Sequence, residues 1–306
     1  IFRLPKHLKT AIFLIFLSIC GEFKHKMKFT IITPAYNMEK YISETIQSVL
    51  NQRGDFDVEY IIINDGSIDG TEKIVLDVQN RLKQGLITVF CNSFELKHTY
   101  QPNQGMYTAI NNGFSMGTGD IYAWIGGDDI YRPDTAFKEI ALWFTAHPES
   151  RWVKGMCGLI DVNGNTIQEG KHRIFYQDWI AEGIYGRESY FIEQESVFWK
   201  PELWKKVAPI PQHLRSAGDY WLWIQFAKHA SLESIPFQVS CFRIRPGQIS
   251  SNKKKYQQEQ YSIYPHRSIV AFKVRVFSIL FNRLPFLSIF LNPLHPIVFG
   301  GKKRSV

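Results

Sequence analysis

Three acidic segments carry residue types and spacings that could do chemistry. The first is Gly126-Gly127-Asp128-Asp129, directly after the apolar run Ile121–Ile125. Adjacent carboxylates repel each other unless a cation or hydrogen-bond donors compensate. A hard divalent ion, Mg2+ or Mn2+, held by one or two carboxylates together with substrate phosphates, suits such a pair. The two glycines remove side-chain bulk, so a ligand can approach the backbone. Taken alone, the pair also reads as a solvated turn with capping aspartates before Pro133. The second segment is Asn64-Asp65-Gly66-Ser67, after four apolar residues. Asp65 could form an Asx-turn or cap the helix that starts near Thr71, but Asp69 is better placed for the cap. Asp65 is then expected to be free to accept from a ligand N–H. The third is Asp219, at the start of Asp219-Tyr220-Trp221-Leu222-Trp223. It reads either as an N-cap or as a general base at a cleft mouth. Tyr36 could stack on a flat base or pack within its loop. Glu195, in an aromatic-rich stretch with Phe191, Phe198 and Trp199, could bind sugar hydroxyls or face solvent.

Carboxylates act together only if the chain brings them together. Strand-like runs at Phe29–Thr33, Val58–Ile63, Leu86–Phe90 and Ile121–Ile125 alternate with helical patterns at Tyr41–Gln52, Thr71–Leu82 and Gly105–Met116. Repeated β-α-β spacing implies a parallel sheet with right-handed crossovers. Open parallel sheets bind ligands at the carboxyl ends of their strands. The segments Thr33–Asn37, Asn64–Thr71 and Gly126–Asp129 should therefore converge on one cleft. Beyond about residue 150 the pattern changes. A hairpin is expected around Asn163-Gly164, a helix over Asp219–His229, and a strand pair or extended segment over Ser231–Arg245.

Composition narrows the classes. The 306 residues are 45% hydrophobic and 21% charged, an ordinary globular balance. Cys20, Cys91, Cys157 and Cys241 are scattered with no C-x-x-C pair, which argues against a disulfide scaffold or structural zinc and fits a reducing compartment. The net +8 sits at the ends. Residues 27–264 hold 24 Lys/Arg against 27 Asp/Glu, a net −3. A nucleic-acid protein concentrates positive charge on its folded body, so no nucleic-acid partner is expected. The basic ends are also apolar. Residues 1–26 read as a translated leader outside the native protein, a peripheral anchor, or a cleaved signal. The stretch from about Ser268 is apolar and basic and is broken by Pro285, Pro293 and Pro296. It is expected to lie in the plane of an anionic membrane surface, or else to pack on the protein's own core.

Other motifs fail on context. Gly113-Phe114-Ser115-Met116-Gly117 matches a nucleophile elbow, but a helix precedes it and a strand follows, the reverse of what that motif needs. Gly117-Thr118-Gly119 lacks the third glycine of a dinucleotide fingerprint. There is no Walker A sequence and no H-E-x-x-H.

The order of motifs resembles family 2 glycosyltransferases of the GT-A fold. It runs Thr33-Pro34-Ala35-Tyr36-Asn37, Asp65-Gly66-Ser67-x-Asp69-Gly70-Thr71, Asn103-Gln104-Gly105, Gly119-Asp120 and Asp128-Asp129. Gln194-Glu195-Ser196-x-Phe198-Trp199 and Gly218-Asp219-Tyr220 resemble the family's acceptor-side segments, and the likeness covers about residues 28–250. The resemblance implies an α/β GT-A fold with a mostly parallel central sheet, flanking helices and a C-terminal helical tail. Residues 27–130 would form the nucleotide-sugar half, 131–255 the acceptor half of the same domain, and 256–306 a basic apolar tail at the membrane. Pro34, Ala35, Tyr36, Asn37, Glu39 and Asp65 would hold the nucleoside, favouring a UDP-sugar. Gln104 and Gly105 would line the donor pocket, and Asp128 would contact ribose or metal. Asp129 would bind a divalent Mg2+ or Mn2+, Asp219 would be the base, and Glu195 and Trp199 would serve substrate binding. The family often has an acid at the position of Gly127, which implies a grip by a single carboxylate here. Arg243 or Arg245 could pair with phosphate. The expected activity is inverting transfer from a nucleotide-diphospho-sugar to a saccharide or lipid-linked acceptor, cytoplasmic and peripheral at the inner membrane face. The alternatives are a sugar nucleotidyltransferase or a non-catalytic nucleotide-sugar-binding protein of the same fold.

Overall fold

The computed structural model of the protein describes residues 26–187 and 189–265. The expected N-terminal leader or anchor, up to residue 25, and the apolar tail from residue 266 lie outside the described residues. In chain order the elements are β1 (Met27–Ala35), α1 (Ile42–Leu50), β2 (Phe56–Asp65), α2 (Thr71–Lys83), β3 (Ser93–Gln101), α3 (Met106–Ser115), β4 (Ile121–Trp124) and β5 (Ile130–Tyr131). Then come α4 (Ala136–Ala146), β6 (Trp152–Ile160), β7 (Thr166–Gln168), α5 (Gln177–Ala181), β8 (Val197–Trp199), α6 (Pro201–Val207), α7 (Gly218–Ala227), β9 (Leu232–Arg243) and α8 (Lys253–Ile263).

One sheet runs through both halves in the order β3-β2-β1-β4-β8-β6-β9-β5, with β7 beside β6. β3, β2, β1 and β4 are parallel, as are β6 and β9, whereas β8, β5 and β7 join antiparallel. The chain reverses its strand order at β1, so the carboxyl ends of β1, β2 and β4 share one edge. Burial on both faces explains the unbroken apolar runs. Ile62 packs on one side with Phe29, Ile31, Ile46 and Phe137. Ile61 and Ile63 pack on the other with Ile32, Phe114, Trp124 and Trp223. α7 buries Tyr220, Leu222, Trp223, Ile224 and Phe226 around most of its circumference, which fixes the helix that begins with Gly218-Asp219.

The expected third strand is displaced. It forms at Ser93–Gln101, and Leu86–Phe90 instead runs irregularly with Ile87 and Val89 against the core. β3 is an edge strand with only Leu96 and Gln101 buried, and edges tolerate polar sequence. Its Lys97 donates to the buried Glu59 of β2 at 2.6 Å. The hairpin at Asn163-Gly164 forms as β6–β7, with Gly164 at φ +83°. Of the strand pair or extended segment expected over Ser231–Arg245, the extended one forms, as the single strand β9. Among the described residues no helix is long and apolar enough to cross a membrane.

Candidate active site

The loops after β1 and β2 are laced together. Asn37 sits in the left-handed region at φ +54°, which asparagine tolerates well. Its amide donates to Ser67 Oγ at 3.0 Å and its Oδ1 accepts from the Ile68 amide at 2.9 Å. Asp69 accepts from Thr71 N and the Glu39 amide, but the N-cap of α2 is Gly70 and no side chain caps the helix, so Asp69 braces the loop just before the cap expected of it. Glu39 Oε2 accepts from Gly70 N at 3.0 Å. That oxygen of its carboxylate braces the loop, and the residue is exposed. Pro34 and Ala35 are buried at the end of β1, paired with Ile63 and Asn64. Tyr36 stands exposed above them, available as a stacking surface.

Asp65 is buried, and its expected freedom is corrected. Oδ1 accepts from Gln101 Nε2 at 2.7 Å and from Gln104 N at 2.9 Å, while Oδ2 accepts from Gly105 N at 2.9 Å. The carboxylate ties β2 to the loop after β3, and a ligand would meet the surface it organises. A carboxylate has about four acceptor positions, so three are used internally. Gln104 and Gly105 enter the site through this knot.

Asp128 and Asp129 lie two strands away across the same edge, about 10 Å by strand spacing. Both are buried. A Cβ on Gly126 would meet Asp129 Oδ2 at 2.7 Å and Asp128 Oδ1 at 3.0 Å, so both carboxylates lean over one stretch of backbone. Asp129 Oδ1 accepts from the Arg243 amide at 2.8 Å, and Asp128 Oδ2 accepts from Arg245 Nε at 2.6 Å. Burial, then the charges of Asp128 and Glu195, push Asp129 well above the usual carboxylate range. A divalent ion would relieve that crowding. Among the described residues no group of three or more His, Cys, Asp or Glu could hold a metal. The pair could contribute one or two carboxylates to a site completed by substrate phosphate and water.

The two arginines have separate roles. Arg243 is fully buried and donates to Asp128 O, Asp161 O and the Glu44 carboxylate. It is a structural clamp, so the expected phosphate partner narrows to Arg245. Arg245 lies over the Tyr41 ring at 5.2 Å.

Asp219 occupies the first turn of α7 without capping it through its side chain. It lines a narrow cleft with Ile180, Tyr185, Phe191, Trp223 and Tyr256. Burial pushes its carboxyl up to about 6, against the lowering pull of the Tyr220 amide and the Tyr256 hydroxyl. The cleft is joined to the loop after β3. Arg215 Nη1 donates to Gln104 O at 3.2 Å. The Tyr107 ring lies so close to Gly218 that a Cβ there would meet it at 2.6 Å.

Glu195 does not face solvent. It is buried in a 3-10 turn over Gln194–Ser196 and accepts from Cys157 Sγ at 3.0 Å, and burial pushes it up to about 7. Trp199 is corrected from substrate contact to core. It is fully buried among Phe114, Trp124, Trp223 and Phe226 at ring distances of 5.3–6.1 Å. Aromatic residues crowd both cores and sugar clefts, so composition alone did not separate the two. Tyr256 and Glu259 of α8 border the site unanticipated, because the helix carrying them lies across the boundary expected between the acceptor half and the tail.

Residues 30–196 match the family described as Glycosyl transferase family 2. An uncharacterized glycosyltransferase of Nostoc sp. is 29% identical over 143 residues, 47% of this chain and 40% of its own length. One from Rickettsia typhi is 26% identical over 206 residues, 66% of this chain and 59% of its own. The chain therefore spans well under two thirds of these relatives. Among solved structures, the 1–349 piece of S. aureus TarS in complex with UDP-GlcNAc aligns with TM-score 0.58 at 19% identity, covering 81% of this chain and 70% of its own. The mannosyltransferase PcManGT from Pyrobaculum calidifontis, in complex with GDP-Man and Mn2+, aligns with TM-score 0.57 at 15% identity, covering 90% and 77%. At these identities the likeness establishes the shared GT-A fold.

Proposed function

Since the chain belongs to glycosyl transferase family 2, we propose that it transfers a sugar from a nucleotide-diphospho-sugar, UDP-linked, to an acceptor hydroxyl with inversion. The observation that carries this reading is the shared sheet edge. It sets the Asp65-organised loop beside the crowded Asp128–Asp129 pair, with the raised carboxyl of Asp219 one contact beyond at Gly218.

The roles follow from position. Tyr36 and the Asn37 loop offer a face and backbone groups to a nucleoside. Asp129, with Asp128, would hold a divalent Mg2+ or Mn2+, which when bound offsets the charge building on the leaving diphosphate. Arg245 adds a cation on the same side. The acceptor oxygen bonds to the anomeric carbon, and the bond from that carbon to the diphosphate oxygen breaks. Its electron pair leaves on the nucleoside diphosphate. Asp219 takes the acceptor's proton, a general-base contribution typically worth about 10²–10⁴-fold. One base and no enzymic nucleophile suffices for single displacement, and attack opposite the leaving group inverts the centre.

The basic apolar stretch at the end of the chain supports work at the inner membrane face on a saccharide or lipid-linked acceptor, in surface polysaccharide or glycolipid synthesis. The test is a panel of nucleotide sugars screened by thermal shift with and without Mn2+, followed by product analysis for the best donor. The reading predicts metal-dependent stabilisation by a UDP-sugar and release of UDP on transfer. Stabilisation by no nucleotide sugar, or release of pyrophosphate from a nucleoside triphosphate, would contradict it.

A further inference from the structure

Helix α8 approaches α7 with a polar inner face. Tyr256, Glu259 and Gln260 fall on one side of it by helical spacing. Glu259 Oε2 accepts the backbone amides of Ser216 and Ala217 at 2.8 and 2.9 Å, just before α7 begins. A carboxylate there satisfies orphan amides and faces the positive end of the helix dipole. One turn earlier, the Tyr256 hydroxyl lies 3.3 Å from Asp219 Oδ1 and 3.4 Å from Oδ2. It thus sits across both oxygens of the carboxylate. Its ring meets Phe191 edge-on at 5.8 Å on the far wall of the cleft.

From this juxtaposition we infer that Tyr256 is a positioning residue for Asp219. It holds the base aimed into the cleft and occupies the place from which a water molecule would otherwise be activated, so donor is spared from hydrolysis until an acceptor hydroxyl arrives. The inference rests on the reading of Asp219 as the base.

The chemistry of the surrounding groups agrees. Burial and the Asp219 charge raise the Tyr256 phenol well above its ordinary range, so it remains a donor and is no rival base. Its hydrogen bond favours the charged carboxylate, opposing the burial that disfavours it. The other titratable groups around Asp219 are Tyr107 of α3, raised well above its ordinary value, Glu259 of α8, held low by the amides it accepts, and Tyr185 and Tyr220 of the cleft wall, both raised by burial. The rest of the cleft wall is Ile180, Tyr185, Phe191, Ile192, Tyr220, Trp223 and Ile224. The two further hydroxyls on it are already engaged, Tyr185 accepting from the Tyr176 amide at 3.1 Å and Tyr220 donating to Gly183 O at 2.7 Å, so a water entering without an acceptor finds few free partners besides the oxygens that Tyr256 spans.

The test compares Tyr256→Phe with wild type in the full chain, using the best UDP-sugar with and without acceptor. Two readouts are followed: the pH profile of transfer, and the ratio of donor hydrolysis to transfer. Loss of the hydroxyl should move the acid limb of the profile to higher pH. It should also raise the hydrolysis-to-transfer ratio about twofold to tenfold, the range of one lost hydrogen bond. A merely structural tyrosine would lower both rates together and leave the limb in place. Tyr256→Leu, which also removes the ring, should reproduce both changes. Asp219→Asn separates the inference from the reading beneath it. If Asp219→Asn turns over at the wild-type rate, the base assignment falls and the inference with it. If Asp219→Asn is inactive and Tyr256→Phe matches wild type in both readouts, the assignment stands and the inference is overturned.

Discussion

Arg245 Nε donates to Asp128 Oδ2 at 2.6 Å, across a gap of 117 residues in sequence. Two positions earlier Arg243 is buried against Asp128 O, Asp161 O and Glu44. Two neighbouring cations therefore serve different ends. Arg245 remains partly accessible and can exchange its carboxylate for a diphosphate, whereas Arg243 has no freedom to move.

The substitutions should separate accordingly. Arg245→Gln is expected to raise the KM for donor about tenfold with little change in melting temperature, as for a lost charge-assisted contact to phosphate. Arg243→Gln is expected to destabilise the fold by about 3 kcal/mol, because it strands buried partners. Steady-state kinetics and denaturant unfolding check the pair.

Gly126 should resist the smallest enlargement. An alanine Cβ would stand 2.7 Å from Asp129 Oδ2 and 3.0 Å from Asp128 Oδ1. Gly126→Ala is expected to cut transfer by at least about tenfold, because displacing either carboxylate by a fraction of an ångström spoils the site. Measurement of kcat at saturating metal and donor tests this.

The pH dependence of transfer should carry a limb set by Asp219. A base works deprotonated, and burial pushes this carboxyl up to about 6. Activity is therefore expected to rise with pH through about 6 and to plateau above it. Asp219→Asn should retain donor binding and lose about 10²–10⁴-fold in kcat. A pH–rate profile alongside donor-binding titration reads both.

Stability toward acid should depend on Glu59. Burial alone would raise it, but Lys97, Thr30 and Thr118 outweigh that and hold it at about 2. A depressed carboxyl stabilises the fold above its unfolded value near 4.5, and that contribution fades as pH falls toward about 2. Glu59→Gln is expected to cost about 1–3 kcal/mol at neutral pH and much less near pH 2. Urea unfolding at the two pH values makes the comparison.

What could be read from sequence divides along physical lines. Asp65, Asp129 and Asp219 stood out because each follows an apolar run or opens a helix, so periodicity placed them at element ends. The company Asp65 keeps was hidden. Gln101 ends, and the loop to Gly105 follows, an edge strand whose polar sequence lacks the apolar pattern that Leu86–Phe90 carries. Trp199 resembled a sugar platform because core and cleft both recruit aromatics. α8 escaped notice for a different reason. It docks through Tyr256 and Glu259, whose polar ends pair across the contact, with Gln260 buried beside them and Ile263 against the Ala217, Tyr220 and Ile224 cluster, a mixture that leaves no continuous apolar stripe.

The central claim is that Asp129 grips a cation which in turn fixes the donor's diphosphate beside the Asp65 loop. Isothermal titration of the preferred UDP-sugar into wild type and Asp129→Ala, each with Mn2+ and with chelator, addresses it directly. The account predicts tight binding only for wild type with metal, and loss by chelation or by the substitution. Equal affinity in all four titrations would contradict it.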